Sequence, residues 1–183
     1  EALGRLEGTE ALSARSSVGK AHLLKHDLGA AEESFRQNLE QAGALGLPRS
    51  AAEATLNLGV VAHKKGDRDE AGRRYQAASQ SGGRHVKARA VANLGSLYAE
   101  SGEIELALEH LSRGLGLLSR MCMAREASQA AINLGRLTLF LGELQRAVEL
   151  SEHGLKLARE VGEPYLEAGA LLNLGGALLD KGD

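Results

Sequence analysis

The tripeptide Asn-Leu-Gly occurs at Asn57, Asn93, Asn133 and Asn173, each time inside a longer pattern that recurs along the chain. Aligned on the glycine, the copies read SVGKAHLLKHDLGAA at Gly19, NLGVVAHKKGDRDEA at Gly59, NLGSLYAESGEIELA at Gly95, NLGRLTLFLGELQRA at Gly135 and NLGGALLDKGD at Gly175. The intervals are 40, 36, 40 and 40 residues. A period of this length means that one small unit is built several times. Such a unit cannot bury its apolar face alone, so the copies must stack on one another.

The rest of the pattern says what the unit is. Seven residues after the anchor comes a second glycine, at Gly66, Gly102, Gly142 and Gly182, replaced by His26 in the first copy. Twelve residues after the anchor comes an alanine, at Ala31, Ala71, Ala107 and Ala147. In the third copy Val91, Leu94 and Tyr98 mark one face of a first helix, A. Ile104, Ala107, Leu108, Leu111, Leu115 and Leu118 mark a second helix, B, at three- and four-residue steps. Each unit is therefore a helical hairpin. The second glycine ends helix A in a conformation that a Cβ resists, and the acidic residue after it (Asp67, Glu103, Glu143, Asp183) suits the start of helix B. In GDRDEA, Asp67 and Glu70 have capping-box-like spacing.

The anchor glycine costs about 1 kcal/mol against alanine inside a helix. Its expected return is a close approach of helix B, with the alanine twelve residues on lying opposite it.

These positions together resemble the tetratricopeptide repeat (TPR) family: Asn-Leu-Gly in helix A, the glycine and acidic residue at the turn, the alanine early in helix B, and Phe35, Tyr75 or Leu111 four residues later. The resemblance covers nearly the whole chain. It implies an all-α, right-handed superhelical solenoid of antiparallel helix pairs, about four and a half repeats long. The common repeat is about 34 residues, so the prevailing interval of 40 here resembles the long-helix variant of Pins/LGN-type scaffolds and bacterial maltose-activator-type regulators. The 36-residue interval drops about one turn and falls where SQSGGRH closes the second hairpin, so a local irregularity is expected there.

The expected helices are 9–26, 29–44, 48–65, 68–81, 84–101, 103–121, 124–141, 143–161 and 164–181. They group into repeats 9–47, 48–83, 84–123, 124–163 and a partial 164–183 of a single solenoid. Residues before Gly8 are expected to be the tail of a preceding helix B, and the last helix A has no partner within the chain. A start at glutamate and a stop in mid-pattern are expected of a piece of a larger protein.

Composition narrows the function classes. With 183 residues and 43% apolar side chains the chain can bury a substantial core. Its 22 basic and 24 acidic residues nearly cancel, which gives no field for nucleic acid or an anionic membrane. The lone cysteine, Cys122, excludes an internal disulfide and fits a reducing, cytoplasmic setting.

In proteins of this kind the A helices line a concave face, and the resemblance implies that the recurring asparagines look onto it. Packed helices lie about 8 to 10 Å apart and an extended peptide advances about 3.3 Å per residue, so successive asparagines would meet about every third ligand residue. Each amide offers a donor and an acceptor, which suits a peptide backbone whatever its sequence. Selectivity falls to residues four before or three after each asparagine: Glu53 and Val60, Arg89 and Ser96, Gln129 and Arg136, Gly169 and Gly176, with Ser13, Ser17 and Lys20 in the first copy. Arg89, Gln129 and Arg136, with Lys20 at one end, suit an acidic segment, because arginine grips carboxylates in bidentate fashion. The expected peptide-binding set is thus Asn57, Asn93, Asn133, Asn173, Arg89, Gln129, Arg136 and Lys20. The alternative is that the asparagines bond backbone carbonyls of adjoining helices. Two departures from relatives stand out. Pins/LGN-type scaffolds often place a further asparagine directly after Asn-Leu-Gly, where this chain has Val60, Ser96, Arg136 and Gly176. The two-carboxylate clamp of chaperone-binding relatives needs lysine and arginine where this chain has Arg89 and Asn93.

Other motifs carry less. His22 and His26 have metal-ligand spacing but lack a third ligand, and ARSSVGKA has alanine where a phosphate loop needs glycine and a hydroxyl residue. The Met121, Cys122, Met123 run is expected to be soft packing at the end of a helix B, and the glutamates from Glu100 to Glu109 a solvated face. No nucleophile, base and orienting residue recur together, so no catalytic activity and no cofactor are expected. The expected function is a protein-protein interaction scaffold that takes a partner's peptide segment. The alternatives are a homodimerising module that uses the unpaired last helix, or the sensor domain of a larger signalling or transcription protein.

Overall fold

The computed structural model describes residues 2–182, with side chains from Gly8 onward. Among these residues it is all-α, with helices α1 (Ala2–Leu24), α2 (Leu28–Ala44), α3 (Pro48–Lys64), α4 (Arg68–Ser81), α5 (Arg84–Ser101), α6 (Ile104–Arg120), α7 (Ala124–Phe140), α8 (Leu144–Val161) and α9 (Pro164–Lys181). From α2 onward the ends lie within one residue of the sequence expectation. The first helix differs: α1 runs unbroken through Gly8, so the residues before it extend a helix A rather than ending a preceding helix B. Asp183, the acidic residue expected to open a further helix B, lies outside the described residues. No helix among them is long and apolar enough to cross a membrane.

The chain forms two compact units, Glu1–Ala90 and Val91–Asp183, which divide inside α5. In the first unit α1 packs on α2, α2 on α3 and α3 on α4. In the second, α6 packs on α7, α7 on α8 and α8 on α9. A Cβ added at Gly95 would meet Leu111, and one added at Gly114 would meet Ala92. As one member of each pair moves three residues forward the other moves three back, which is antiparallel pairing of α5 with α6. Gly135 with Ser151 and Gly154 with Ile132 repeat the relation in α7 and α8. There Ser128 Oγ also donates to the Gly154 carbonyl at 2.8 Å.

The partner of the anchor glycine corrects the sequence expectation. The residue sixteen positions on, not twelve, lies against it: Phe35 against Gly19, Tyr75 against Gly59, Leu111 against Gly95 and Ser151 against Gly135. The alanine does a different job. Ala31 is fully buried with Phe35 and with Leu58 and Val61 of α3. Ala107 is buried with Leu111 and with Leu134 and Leu137 of α7. In three of these four hairpins helix B thus sets a large residue against the glycine of its own helix A, with Ser151 there in the fourth, and Ala31 and Ala107 leave room for the helix A that follows. Gly175, the fifth anchor, has nothing within 4 Å of its would-be Cβ.

The turns follow local chemistry. Gly66, Gly102, Gly142 and Gly182 hold positive φ of 75° to 86°, and His26 takes the same left-handed place with φ 58°. Asp27 and Asp67 accept hydrogen bonds from the backbone N–H of Ala30 and Glu70. Glu103 and Glu143 hold the equivalent place without a side-chain cap, so their contribution is charge alone. At the turns from helix B to helix A, Gly46, Cys122 and Gly162 have positive φ. The Met121, Cys122, Met123 run is therefore a turn rather than the end of a helix, with Cys122 exposed at its left-handed corner. The turn after the short α4 is built otherwise: Gly82 is extended, at φ −79° and ψ 154°. This irregularity falls in SQSGGRH, the segment that shortens the interval to 36 residues.

Candidate functional site

In the first unit the expected residues come from three A helices. Lys20 projects from α1, Glu53 and Asn57 lie one turn apart on α3, and Arg89 sits in the second turn of α5. Glu53 Oε1 accepts from Arg89 Nη1 at 2.7 Å and lies 3.5 Å from Lys20 Nζ. Arg89 Nη2 reaches Asn57 Oδ1 at 3.4 Å. Lys20 and Arg89 were expected to await an acidic ligand, but both are engaged by Glu53. Partial burial opposes ionisation of Glu53, yet the charge and hydrogen bond of Arg89, followed by those of Lys20, outweigh it and hold its carboxyl below the ordinary 4.5. Asn57 is only 2% exposed, and its Nδ2 is buried without an acceptor.

In the second unit the asparagines divide between two roles. Asn173 is buried, and its Nδ2 donates to the Ile132 carbonyl of α7 at 2.8 Å. That is the structural bond the alternative described. Gly176 would place a Cβ 3.1 Å from Leu139, so a side chain at this position would press on α7. Asn133 is half-buried; its Nδ2 donates to Ser96 Oγ of α5 at 2.8 Å, and its Oδ1 accepts from Gln129 Nε2 at 3.1 Å. Asn93 is half-buried, and no hydrogen bond of its side chain occurs among the described residues.

Gln129 and Arg136 are exposed on α7. Arg136 makes no ion pair or hydrogen bond among the described residues, unlike Lys20 and Arg89. One turn on, Phe140 is 78% exposed. Gln129, Asn133, Arg136 and Phe140 are spaced four, three and four, which puts them on one face of α7. On α9, which packs against α7, Leu179 is exposed to the same extent as Phe140. An unpaired guanidinium beside an exposed ring and an amide pair offers an ion pair, an apolar contact and backbone hydrogen bonds along one line.

Phe140 escaped the sequence reasoning, although a signal was present. The equivalent position is Lys64, Glu100 and Asp180 in the second, third and fifth copies but Leu24 in the first, so Phe140 joins Leu24 as an apolar residue where three copies are charged, and Leu24 is exposed as well. Of the two histidines, His22 Nδ1 lies 3.3 Å from Asp27 Oδ2, and His26 forms the turn. No cluster of three or more metal-ligating side chains occurs among the described residues.

No family model matches the chain, and no curated protein sequence matches it. Solved structures do. BtubC (BKLC) from P. vanneervenii is similar over 100% of this chain and 85% of its own, with a TM-score of 0.73 at 18% identity. A putative kinesin light chain of Podosopora anserina with nearly identical TPR-like repeats is similar over 93% of this chain and 87% of its own, with a TM-score of 0.66 at 15% identity. YrrB, described as a TPR protein with an unusual peptide-binding site, is similar over 96% of this chain and 93% of its own, with a TM-score of 0.53 at 17% identity. The fold is that of tetratricopeptide-type helical repeats.

Proposed function

We propose that the chain is a protein-protein interaction scaffold whose A-helix face binds a peptide segment of a partner, without catalysis. The observation that carries this reading is the α7 face, where Arg136 is exposed and unpaired beside the exposed Phe140. Arg136 takes a carboxylate of the segment and Phe140 an adjacent apolar side chain. The Asn133 and Gln129 amides take its backbone, and the half-buried Asn93 offers a further amide on α5. The peptide-binding site of YrrB supports a peptide as the ligand class. The 40-residue interval supports the long-helix variant of the repeat.

The test is selection from a random twelve-residue peptide library displayed on phage, followed by titration of the selected peptides. Selected sequences are expected to pair an acidic residue with a large apolar neighbour, and to lose about tenfold in affinity on Arg136→Glu or Phe140→Ala, as one lost hot-spot contact of about 1.4 kcal/mol gives. Peptides that bind the double variant as tightly as the parent would overturn the reading.

A further inference from the structure

We propose that Lys20, Arg89 and Asn57 form a carboxylate-binding site that Glu53 fills in the free protein, and that an acidic peptide enters it by displacing Glu53 along α3. This rests on the A-helix face being a peptide surface and adds a second contact, in the first unit, with its own internal competitor.

The argument begins with the unmet donor. Asn57 is 2% exposed, its Oδ1 is taken by Arg89 Nη2, and its Nδ2 is buried with no acceptor. A buried amide donor without a partner is costly, and buried amides seldom stay so. An acceptor stands one turn away on the same helix: Glu53 is four residues before Asn57. Side chains at this spacing reach each other, as the equivalent pair on α7 shows, where Gln129 Nε2 donates to Asn133 Oδ1 at 3.1 Å. In the first unit Glu53 instead bonds to Arg89 Nη1 at 2.7 Å and lies 3.5 Å from Lys20 Nζ.

Two arrangements therefore compete for Glu53. In the free protein it satisfies Arg89 and Lys20 and leaves Asn57 Nδ2 orphaned. When a ligand carboxylate takes Arg89 and Lys20, Glu53 turns back to accept from Asn57 Nδ2, and the orphaned donor is matched. Lys20 is exposed and Arg89 half-buried, so a ligand reaches both from the surface. Glu53 thereby sets a threshold, and a ligand must outbid an internal carboxylate to be held.

The experiment uses a fluorescein-labelled octaglutamate peptide as probe, with octaserine as control, read by anisotropy at low ionic strength. Glu53→Gln is expected to tighten octaglutamate binding about tenfold and leave octaserine unchanged. Asn57→Ala is expected to weaken octaglutamate binding severalfold in the parent but not in the Glu53→Gln background, because the displaced carboxylate then has nowhere to go. In the unsubstituted protein, the side-chain amide protons of Asn57 are expected to shift downfield in nuclear magnetic resonance spectra as octaglutamate saturates the site. Equal or weaker binding by a folded Glu53→Gln, or an unmoved Asn57 amide at octaglutamate saturation, overturns the proposal. So does failure of octaglutamate to bind either protein. All of these outcomes leave the Arg136 and Phe140 variants as a separate test of the α7 face.

Discussion

A Cβ placed on Gly95 would lie 2.6 Å from the backbone nitrogen of Leu111 and 2.8 Å from its Cγ. A backbone atom on a neighbouring helix cannot rotate away as a side chain can, so α5 and α6 would have to part. Overpacking of this kind costs about 1 to 3 kcal/mol, and the helix propensity gained from alanine returns about 1. Gly95→Ala is therefore expected to lower stability, and Gly95→Val more so. Urea unfolding followed by circular dichroism would show it as a lower midpoint.

Gly175 occupies the same place in its Asn-Leu-Gly, and the same substitution is expected to have the opposite sign. Nothing lies within 4 Å of its would-be Cβ. Only the helix term remains, so Gly175→Ala should raise stability by up to about 1 kcal/mol. A midpoint that falls would mean that this face of α9 is covered in solution.

The contrast between these glycines marks how far the sequence is legible. The period, the helical spacing and the turn glycines give every helix of the second to fifth repeats, because each depends on local chemistry that recurs. What lies opposite the anchor depends on how far helix B slides along helix A. The alanine at the twelfth position and the residue at the sixteenth (Phe35, Tyr75, Leu111 or Ser151) lie one turn apart on the same face of helix B, and only packing shows which of them meets the glycine. The candidate site was legible as a list and not as a set of pairings. Lys20 and Arg89 read as available cations because Glu53, which holds both, is 33 and 36 residues away from them in sequence. Phe140 was visible as an apolar residue where three of the other four copies are charged, but apolar residues in helix A default to the core, and its exposure is a tertiary fact.

The recurring asparagines should also separate on mutation. Asn173→Ala removes a buried donor from the Ile132 carbonyl and is expected to cost about 1 to 2 kcal/mol. Asn93→Ala removes no side-chain hydrogen bond among the described residues and is expected to change stability by less than about 0.5 kcal/mol. Thermal unfolding of the two variants, measured beside the parent, checks the division. Equal losses would mean that the shared motif, not the individual bond, sets the energy.

His26 holds φ 58° where the other copies have glycine, and Cys122 holds φ 53° where Gly46 and Gly162 stand in other turns. Both side chains are exposed, so replacing them sacrifices little packing. A Cβ in the left-handed region costs about 1 to 2 kcal/mol, part of which glycine gives back through its looser unfolded chain. His26→Gly and Cys122→Gly are each expected to stabilise by about 0.5 to 1 kcal/mol, read as a raised urea midpoint. His26→Ala, which keeps the Cβ, should gain nothing.

Acid should undo the first unit's polar contacts in a definite window. Glu53 is held below its ordinary value against its own desolvation, chiefly by Arg89 and then Lys20. Glu32 is lowered first by its hydrogen bond to Lys65, and Glu70 by its bonds to Arg74 and Arg73. A carboxyl that titrates lower when folded than when unfolded binds fewer protons in the native state. Its contribution is complete above the ordinary value of 4.5 and drains away as pH falls through the folded one. The urea midpoint is therefore expected to hold above about pH 5 and to fall steadily below 4.5. Glu53→Gln removes the titrating group, so its midpoint should fall less between neutral pH and pH 3 than the parent's. Parallel curves for the two proteins would show that the Glu53 carboxylate adds nothing to the folded state that its neutral amide does not.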